Sequence, residues 1–353
     1  MARRIVVGMS GGVDSSAAAA MLQREGWEVI GVTLHLWDYV REGHQGRCCA
    51  PEDQYDAARV CETLGIAHYT FDRRSLFREK VVDRFVEDYA AGRTPSPCVR
   101  CNESVKLGPL WEIASRLGAE AVATGHYARL ATDGEGVDLR AGADASKDQS
   151  YFLWAAPIEA LRRLHLPLGG MSKPEVRALA AEAGLANADK PDSVDLCFLE
   201  GEAYPAFMSR HGASSARPGT IETVGGEVVG QHDGVHAFTP GQRKGLGAGG
   251  KPRYVLKIVP ERSAVIVGDD AETRGGGATL EGFRWLCEAR PGRVRARIRY
   301  RHQGVDAALE HDGGATARLR FEAPQRGVAP GQAAVLYVGD RVVGGGWISE
   351  VAS

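Results

Sequence analysis

The first residues that could do chemistry lie in a glycine- and serine-rich turn at positions 10–16. The apolar residues 5–7 predict a buried strand before the turn, and the alanine-rich residues 17–25 predict a helix after it. Gly11 and Gly12 can adopt backbone conformations with positive φ, which leave N–H groups uncovered. Those N–H groups, the positive end of the helix and the serine hydroxyls form a concavity that suits an anion. The turn therefore predicts a phosphate site.

The spacing of this turn excludes two common phosphate-binding loops. A Walker loop needs a lysine that this turn lacks, and the spacing of Gly8, Gly11 and Gly12 does not give the Rossmann fingerprint. An ordinary strand-to-helix turn, with Asp14 capping the helix, is an alternative interpretation. The residues resemble the SGGxDSS loop of the PP-loop ATP pyrophosphatases, which bind ATP there and cleave it between the α- and β-phosphates. This resemblance implies that the ATP site contains Gly8, Met9, Ser10, Gly11, Gly12, Val13, Asp14 and Ser15.

The elements that would position this site alternate along the first two hundred residues. Residues 28–36, 67–71 and 121–126 predict further strands, and the segments between them have helical patterns. Ser172 and Glu175 form a capping box that opens another helix, which Gly184 ends. Such alternation predicts an α/β domain with a parallel sheet, whose ligand site lies at the carboxyl ends of the strands.

The pattern changes after about Ala203, where short strand-like runs and glycine-rich turns replace the helical segments. We therefore predict an N-terminal parallel-sheet PP-loop (adenine nucleotide alpha hydrolase-like) domain over residues 1–203. Two small β modules follow, a central one over residues 204–272 and a β-barrel over residues 273–353.

Composition limits the classes of protein that this chain can belong to. The 353 residues are 44% hydrophobic and 25% charged, with a formal net charge of −2, so the overall charge gives no argument for nucleic acid. No apolar run reaches the roughly 18 residues that a membrane helix needs, and the N-terminus lacks a signal-peptide pattern. We expect a cytoplasmic protein without a membrane partner, in which the seven cysteines are mostly reduced.

Three of the cysteines are candidates for chemistry. Cys98 and Cys101 form a C-x-x-C pair after two prolines, and Cys197 lies far downstream. The pair alone is compatible with a redox dithiol or half a zinc site, but nothing at zinc spacing completes a tetrahedral site. Three thiols would suit an iron–sulfur cluster with one open iron, or a nucleophile with a resolving partner, and Cys197 could also be an ordinary buried thiol.

The remaining cysteines have less specific surroundings. Cys48 and Cys49 are adjacent, so their side chains are expected to point apart. This arrangement favours a structural or local-recognition role over a shared metal. Cys61 on a helical pattern and Cys287 in the β region are expected in the core.

Residues 293–301 alternate arginines with mostly apolar residues. On one strand, the five arginines would share a face and repel one another, a repulsion that an anionic partner relieves. Arginine contacts to phosphate make RNA the candidate partner, although a solvated strand face is the alternative. Arg299, Tyr300 and Arg301 are the residues that we expect at such a contact.

Motifs spread along the chain together resemble one family, the bacterial tRNA-specific 2-thiouridylases. Besides the ATP loop they comprise RTPSPCVRCN at 93–102, ATGHY at 123–127, SKDQSYFL at 146–153, KPDS at 190–193 with DLCF at 195–198, GQRKGLG at 241–247 and PGQ at 330–332. The resemblance implies 2-thiolation of the wobble uridine in tRNA anticodons, with release of AMP and pyrophosphate. ATP would adenylate the uracil O2 while Mg²⁺ balances the phosphate charge.

The resemblance also implies roles for single residues. Cys197 would carry a persulfide, Cys101 would attack it and leave a Cys101–Cys197 disulfide, and Leu34 and Gly125 would join the ATP site. The implied tRNA contacts are His126, Lys147, Asp148, Gln149 and Gln332, with Ser96, Pro97 and Cys98 beside the flipped base.

At one position this chain departs from many members of the family, which carry aspartate where it has Cys98. Cys98 cannot act as a carboxylate, but it completes a three-thiol set with Cys101 and Cys197 that could hold a [4Fe–4S] cluster. The persulfide and cluster mechanisms therefore both stay open.

The expected partners are tRNA and a sulfur donor, either a cysteine desulfurase or a sulfur-relay protein. Two other functions are compatible with part of the pattern. One is another PP-loop adenylating ligase, of the small-molecule or lysidine-forming type, and the other is a non-catalytic tRNA-binding Fe–S module. The cysteine motifs argue against the ligases, since these reactions need no sulfur.

Overall fold

The structure, a computed structural model, describes residues 3–38, 51–133, 136–192, 196–199, 201–211, 217–246 and 252–352. Cys48, Cys49, Ser193, Asp195 and Gly247, which the sequence analysis names, lie outside the described residues. Within the described ranges, no helix is long and apolar enough to cross a membrane.

Helices and strands alternate through the first half of the chain, and strands dominate the second. The helices are α1 (Val13–Arg24), α2 (Pro51–Leu64), α3 (Arg74–Phe77), α4 (Arg84–Ala90), α5 (Pro97–Cys101), α6 (Leu107–Arg116), α7 (Ile158–Arg162), α8 (Lys173–Glu182) and α9 (Tyr204–Arg210). Two π-helical segments, Arg78–Asp83 and Asn102–Lys106, connect α3 to α4 and α5 to α6.

The strands fall into a first group of seven and a second of ten in the described chain. The first group is β1 (Arg4–Gly8), β2 (Glu28–His35), β3 (Ala67–Asp72), β4 (Ala121–Ala123), β5 (Ala128–Asp133), β6 (Gly136–Ala141) and β7 (Leu164–His165). The second is β8 (Gly219–Thr223), β9 (Val228–His232), β10 (Tyr254–Val259), β11 (Ala264–Gly268), β12 (Arg274–Trp285), β13 (Arg293–Arg297), β14 (Val305–His311), β15 (Thr316–Arg326), β16 (Ala333–Val338) and β17 (Arg341–Ala352).

The chain divides into two compact units that do not follow the chain order strictly. The first contains Met1–Val82, Cys98–Gly201 and Asp340–Val342, and the second contains Asp83–Pro97, Glu202–Gly339 and Val343–Ser353. The predicted boundaries at residues 203 and 272 stay predictions, and they place residues 83–97 in the N-terminal domain, whereas these residues pack with the second unit.

The first unit is built on a five-stranded sheet in the order β3-β2-β1-β4-β7. Every pairing in it is parallel, as the alternation of strands and helices predicts. Strand β1 lies at the centre, and the chain adds β2 and β3 on one side of it and β4 and β7 on the other. Its residues Ile5, Val6 and Val7 are fully buried, as expected for a strand covered on both faces.

Helix α1 packs close to this sheet because its inner face is made of small residues. Ala17, Ala18, Ala19 and Ala20 are all buried in the same core as Val176 and Ala180 of α8. Helix α8 begins with the predicted capping box, in which the Ser172 N–H donates to Glu175 at 2.7 Å. The packing of α8 on α1 brings the start of α8 to the glycine-rich turn.

The second unit contains two β modules, as predicted. A four-stranded sheet in the order β10-β11-β8-β9 has its own apolar core, which includes Ile221, Val255 and Val265. Strands β12, β15, β14, β13, β16 and β17 follow one another around a closed barrel, because β12 also pairs with β17. The predicted fold class, a parallel-sheet domain followed by β modules with a barrel last, is confirmed.

The prediction of one strand over residues 293–301 is wrong. Strand β13 ends at Arg297, and Arg299, Tyr300 and Arg301 lie in the turn that follows. The Arg297 guanidinium donates to the Tyr300 carbonyl oxygen at 2.6 Å and so closes this turn. Three arginines, not five, therefore share a strand face.

Candidate functional site

The glycine-rich turn has a fixed shape. Gly11 has a φ of +75°, and a Cβ there would lie 2.2 Å from the backbone oxygen of Asp53 at the start of α2. Only glycine fits this conformation and this close approach. Gly12 is the N-cap of α1 and has no side chain with which to cap the first N–H groups of the helix. These groups point toward the turn, where an anion can bind them.

The serines of the turn hold it together from inside. The Ser15 hydroxyl accepts from the Ser10 N–H and donates to the Gly12 carbonyl oxygen, both at 3.1 Å. The Ser16 hydroxyl donates to the same carbonyl at 3.0 Å and accepts from the Asn187 amide at 2.9 Å. The turn is therefore preorganised for its ligand.

Asp14 does not cap α1, which excludes the ordinary-turn interpretation of its role. It lies in the first turn of the helix. Its Oδ1 accepts from the Tyr127 hydroxyl and from Lys173 Nζ, each at 2.7 Å. Burial and the Asp14 carboxylate raise the pKa of Tyr127, so its hydroxyl stays a donor at neutral pH.

Lys173 joins Asp14 to a second carboxylate. Its Nζ also lies 2.7 Å from Asp192 Oδ1, and its side chain is only 10% exposed. Asp192 pairs in addition with Lys147 at 2.8 Å and with Arg177 at 3.4 Å. Burial alone would raise the pKa of Asp192, but the hydrogen bonds from Lys147 and Lys173 outweigh it and lower that pKa. The carboxylate is therefore ionised at neutral pH.

A second lysine ties the turn to α2. Lys190 Nζ donates to the Gly11 carbonyl oxygen at 3.3 Å, to Asp53 at 2.5 Å and to Asp56 at 2.6 Å. Burial would lower the pKa of Lys190, but its two carboxylate partners raise it. The lysine is thus charged and locks α2 against the turn.

Gly125 and Leu34 lie at strand ends of the same sheet, and their part in an ATP site stays a prediction. A Cβ on Gly125 would lie 2.6 Å from the carbonyl carbon of Asp14, so the backbone after β4 touches the first turn of α1. Leu34 is half-buried near the end of β2. Both therefore border the carboxyl edge beside β1, where the strand order reverses and ligands bind in such sheets.

His126 follows Gly125 and is neutral. Its Nδ1 lies 2.8 Å from the Thr124 hydroxyl oxygen. Burial, helped by the charge of Lys106, lowers the pKa of His126 to about 3. At neutral pH the imidazole can therefore donate or accept a hydrogen bond, but it has no positive charge with which to attract a phosphate.

Cys98 and Cys101 lie on α5 with different exposure. Cys98 is exposed and Cys101 is buried. Asn102, which follows them, donates from its amide to the Phe152 carbonyl oxygen at 3.3 Å. This bond links the cysteine helix to the segment that contains Lys147, Asp148 and Gln149.

Cys197 is positioned by the residue after it. Phe198 is 1% exposed and packs edge-to-face against Trp37 and Phe77, with ring centroids 6.4 and 6.0 Å away. Trp37 lies just beyond the end of β2. The half-buried Cys197 is thus held at the carboxyl edge of the parallel sheet, the edge that also carries the glycine-rich turn.

Comparison with known proteins assigns this chain. A family model described as the tRNA methyl transferase HUP domain matches residues 3–201, the PRC-barrel domain of the same name matches 205–269, and an aminomethyltransferase β-barrel domain matches 276–348. A tRNA-specific 2-thiouridylase MnmA from Sorangium cellulosum (strain So ce56) is 50% identical over 98% of this chain and 92% of its own length. The chain belongs to the tRNA-specific 2-thiouridylase family.

Other relatives are nearly as similar. The 2-thiouridylase of Rhizorhabdus wittichii is 48% identical over 98% of this chain and 91% of its own length. That of Acidithiobacillus ferrooxidans (strain ATCC 53993 / BNL-5-31) is 46% identical, and the match covers 98% of both chains. The family that the sequence motifs indicated is therefore confirmed along the whole chain.

The structure does not assemble the ligand set of an iron–sulfur cluster. Among the residues it describes, which include Cys98, Cys101 and Cys197, no three histidine, cysteine or acidic side chains are grouped as metal ligands. In this arrangement the three thiols of the 2-thiouridylase do not fit a [4Fe–4S] cluster.

The three neighbouring residues expected to contact tRNA in this 2-thiouridylase differ in their environments. Lys147 is partly exposed and pairs with Asp192. Asp148 is 5% exposed and accepts the backbone N–H groups of Gly142 and Ser150, both at 3.0 Å. Gln149 accepts the Tyr127 N–H at 2.9 Å. Asp148 and Gln149 thus shape the segment, while a tRNA contact for the three stays a prediction.

Gln332, in the second unit, supports the loop before the cysteine helix. Its amide donates to the carbonyl oxygens of Thr94 and Pro95 at 3.2 and 2.8 Å. The Thr94 N–H in turn donates to the Pro330 carbonyl oxygen at 2.7 Å. Ser96 is half-buried and Pro97 is buried in the next two positions. Whether Gln332 also touches tRNA stays a prediction.

The arginines of the barrel have acidic partners. Arg293 pairs with Glu322, and Arg295 lies 3.8 Å from Asp306. Arg299 and Arg301 in the following turn are exposed, and Arg299 donates to the Arg326 carbonyl oxygen. The mutual repulsion that favoured an anionic partner is therefore smaller than the sequence suggested, and the tRNA contact at Arg299, Tyr300 and Arg301 stays a prediction.

Sequence reasoning missed the residues that support the turn. Tyr127 and Lys173 bind Asp14, and Asp192 binds Lys173. Asn187 and Lys190 bind the backbone and a hydroxyl of the turn. The only signal in the sequence was that Tyr127, Lys190 and Asp192 fall inside family motifs. The buried thiols of Cys61 and Cys287, by contrast, are in the core as predicted, and burial raises the pKa of Cys61 to about 12.

Proposed function

We propose that this chain is an ATP-dependent tRNA-uridine 2-sulfurtransferase that thiolates C2 of the wobble uridine in tRNA anticodons. The observation that carries the proposal is that one sheet edge holds both an anion-binding turn and Cys197. Phe198 anchors Cys197 beside the end of β2, and Asp192 is tied through Lys173 to Asp14 of the turn. The same edge of the sheet would therefore hold both the groups that bind ATP and the thiol that carries the sulfur.

In the first step the uracil O2 would attack the α-phosphorus of ATP, and pyrophosphate would leave. The uncapped N–H groups of α1 would bind the outgoing phosphates. Mg²⁺, when bound with the nucleotide, would balance phosphate charge, and Asp14 is the carboxylate of the turn that could hold it. The product is a uridine with AMP on O2, which makes C2 an electrophile.

In the second step sulfur would replace AMP. We propose that Cys197 carries the sulfur as a persulfide and that the Cys101 thiolate attacks the Cys197 sulfur. This attack forms the Cys101–Cys197 disulfide and releases hydrosulfide, which adds to C2 and expels AMP. Two equivalents of an external thiol, or one dithiol, then reduce the disulfide by two electrons and are themselves oxidised to a disulfide. Cys98 would lie beside the target uracil. Because it has no carboxylate, it would not act as a general base there.

The partners follow from this chemistry. The tRNA supplies the uridine, and a protein that carries a persulfide, a cysteine desulfurase or a sulfur-relay protein, loads Cys197. We propose a cytoplasmic location, where tRNA, ATP and reduced thiols coexist.

The test is a single-turnover thiolation assay with ATP, tRNA and a persulfide donor. We expect Cys197→Ser and Cys101→Ser to lose 2-thiouridine formation by at least a hundredfold. Both should still release pyrophosphate when tRNA is present, because adenylation does not need the thiols. The matched control is Cys287→Ser, since Cys287 lies in the core of the barrel.

Two results would contradict the proposal. If Cys197→Ser thiolates at the wild-type rate, Cys197 does not carry the sulfur. If the wild type releases pyrophosphate with a small-molecule acceptor and not with tRNA, the chain is another adenylating ligase. Pyrophosphate release that needs tRNA would also exclude a non-catalytic tRNA-binding module.

A further inference from the structure

We propose that a pocket at one end of the barrel binds an unstacked base of RNA, with guanine preferred over the other bases. The glycine-rich turn and the three candidate cysteines belong to the first unit, so this is an additional site. The inference goes beyond the proposed function and takes from it only that RNA is the partner. We call the site the barrel-end pocket. Its lining includes the side chains of Phe283, Trp285, Arg290, Leu309, His311 and Asp312.

The barrel-end pocket lies where four strands of the barrel begin or end. Strands β12 and β14 end there at Trp285 and His311, and β13 and β15 begin there. Two loops, residues 286–292 and 312–315, connect these strands and form the rim. The pocket has a volume of about 500 Å³, which is within the range of small-ligand sites.

The floor of the pocket is apolar and contains a flat ring. Phe283 and Leu309 belong to the core of the barrel and are 6% and 8% exposed. The Trp285 ring packs edge-to-face on Phe283, with ring centroids 5.1 Å apart, and is half-buried. Unstacked bases of RNA are bound by stacking on aromatic rings of this kind.

His311 holds the indole ring in place. The Trp285 Nε1–H donates to His311 Nδ1 at 3.1 Å. An indole N–H can only donate, so Nδ1 accepts, and the proton on Nε2 is donated to the Gly314 carbonyl oxygen at 2.8 Å. The ring is thereby tied to the rim, and the stacking surface is formed before a ligand binds.

The Arg290 guanidinium is a second platform for a base. Its Cζ lies 5.1 Å from the centroid of the Trp285 ring, and the side chain is exposed. Its hydrogen bond to the Cys287 carbonyl oxygen is long, at 3.4 Å, and no carboxylate among the described residues pairs with it. A base can therefore stack on the indole or on the guanidinium plane.

Asp312 gives the pocket its preference among bases. Its Oδ1 accepts the Gly314 N–H at 3.1 Å, which holds the exposed carboxylate on the rim. An ionised carboxylate only accepts hydrogen bonds. Guanine presents two adjacent N–H donors on its Watson–Crick edge, whereas uracil presents one donor between two carbonyl oxygens. A carboxylate also repels phosphate, so the pocket suits a base and not the RNA backbone.

The test is the binding of labelled five-nucleotide RNAs to the full-length protein, measured by fluorescence anisotropy without ATP or a sulfur donor. The RNAs UUGUU and UUUUU differ only in the central base. We expect UUGUU to bind about tenfold more tightly, the discrimination that a good bidentate contact to one base gives. Unlabelled UUGUU should displace the labelled RNA at a concentration about tenfold below that of GMP, because the flanking phosphates add contacts.

A photochemical crosslink locates the base independently of any variant. With 6-thioguanosine as the central nucleotide, irradiation should join the RNA to the peptides that contain Trp285 or Asp312, which mass spectrometry identifies.

Four variants separate recognition of the base from loss of structure. Asp312→Asn should reduce the ratio of the two affinities to about three or less, because an amide offers one acceptor oxygen. Arg290→Lys keeps the charge but removes the plane, and should weaken UUGUU binding about threefold. Trp285→Leu should weaken it about fivefold or more, and the two variants of exposed residues serve if this one does not fold. The matched control is Arg320→Met, an exposed arginine of β15 outside the pocket, which should leave the ratio unchanged.

Three results would overturn the inference: equal affinity of the wild type for UUGUU and UUUUU, an unchanged ratio in Asp312→Asn, or crosslinks confined to residues outside the barrel. Displacement by GMP at the same concentration as by UUGUU would assign the pocket to a free nucleotide and overturn the assignment to RNA. The proposed function fails differently, because Cys197→Ser would then still thiolate tRNA. The binding measurements involve no thiolation, so the two failures are distinguishable.

Discussion

Replacing Lys190 with methionine should destabilise the first unit strongly. The change leaves Asp53, whose side chain is 4% exposed, beside Asp56 with no ammonium between them. Breaking a buried pair by removing one partner costs about 3–5 kcal/mol. Because Lys190 is 17% and Asp56 28% exposed, we place the loss at the lower end, about 3 kcal/mol. For a unit of this size that is a fall in Tm of roughly 6–12 °C.

The assay is calorimetric unfolding, with urea unfolding as the second measure. Lys80→Met is the matched control, since Lys80 pairs only with the exposed Glu79 in the contacts described. That variant should change stability by no more than about 0.5 kcal/mol. The double variant Lys190→Met/Asp53→Asn should regain about half of the loss or more, because the buried carboxylate that lost its ammonium partner is then replaced by a neutral amide.

The dependence on pH gives an independent check. Removing the Lys190 ammonium raises the pKa of the Asp53 carboxyl in the folded variant above its value in the folded wild type. A raised carboxyl pKa penalises the folded state at high pH, and the penalty disappears as pH falls through that value. The difference in stability between wild type and variant should therefore shrink below about pH 5. Equal stability of wild type and Lys190→Met at pH 7 would refute the reasoning.

Four further outcomes are expected. Gly125→Ala places a Cβ 2.6 Å from the backbone of Asp14 and should weaken ATP binding at least tenfold, about 1.4 kcal/mol, by titration calorimetry. Gln332→Ala leaves two backbone carbonyls without its amide and should cost about 1–2 kcal/mol in the second unit, by urea unfolding, with ATP affinity unchanged. His126, with its pKa lowered to about 3, stays neutral where the unfolded histidine gains a proton, so stability falls as pH drops below about 6.5. His126→Gln should reduce that fall in acid denaturation curves. Anaerobically purified wild type and Cys98→Ser should both be free of iron. About four irons in the wild type that are absent from the variant would contradict this, and would indicate that a cluster carries the sulfur in place of the persulfide.

Local patterns predicted the elements that hold the site. The apolar run before the turn, the alanine helix after it and the capping box at Ser172 each depend on neighbouring residues, and each is present. Parallel pairing followed from the alternation of strands and helices. These features are encoded within short windows, which is why one sequence is enough to find them.

The supporting contacts of the turn could not be read in the same way. Lys173 and Asp14 are separated by 159 residues, and Lys190 and Asp53 by 137. Charged residues on helix ends are usually solvated, so no periodic signal marks the few that become buried partners. The end of β13 was missed for a related reason. The alternation of arginine continues past Arg297, but the backbone turns there, because a turn depends on dihedral angles that this alternation does not encode.

The glycine-rich turn depends on cations that come from another part of the chain. A site for polyphosphate contains a carboxylate, Asp14, and no cation of its own. Both of its lysines come from residues 173–190, after the fourth and last long crossover of the sheet is complete. The two lysines can therefore balance the negative charge at the turn only when that segment has folded onto α1. The same segment ends at Asp192, whose carboxylate pairs with Lys173, so the lysine that reaches the turn and this carboxylate are placed together.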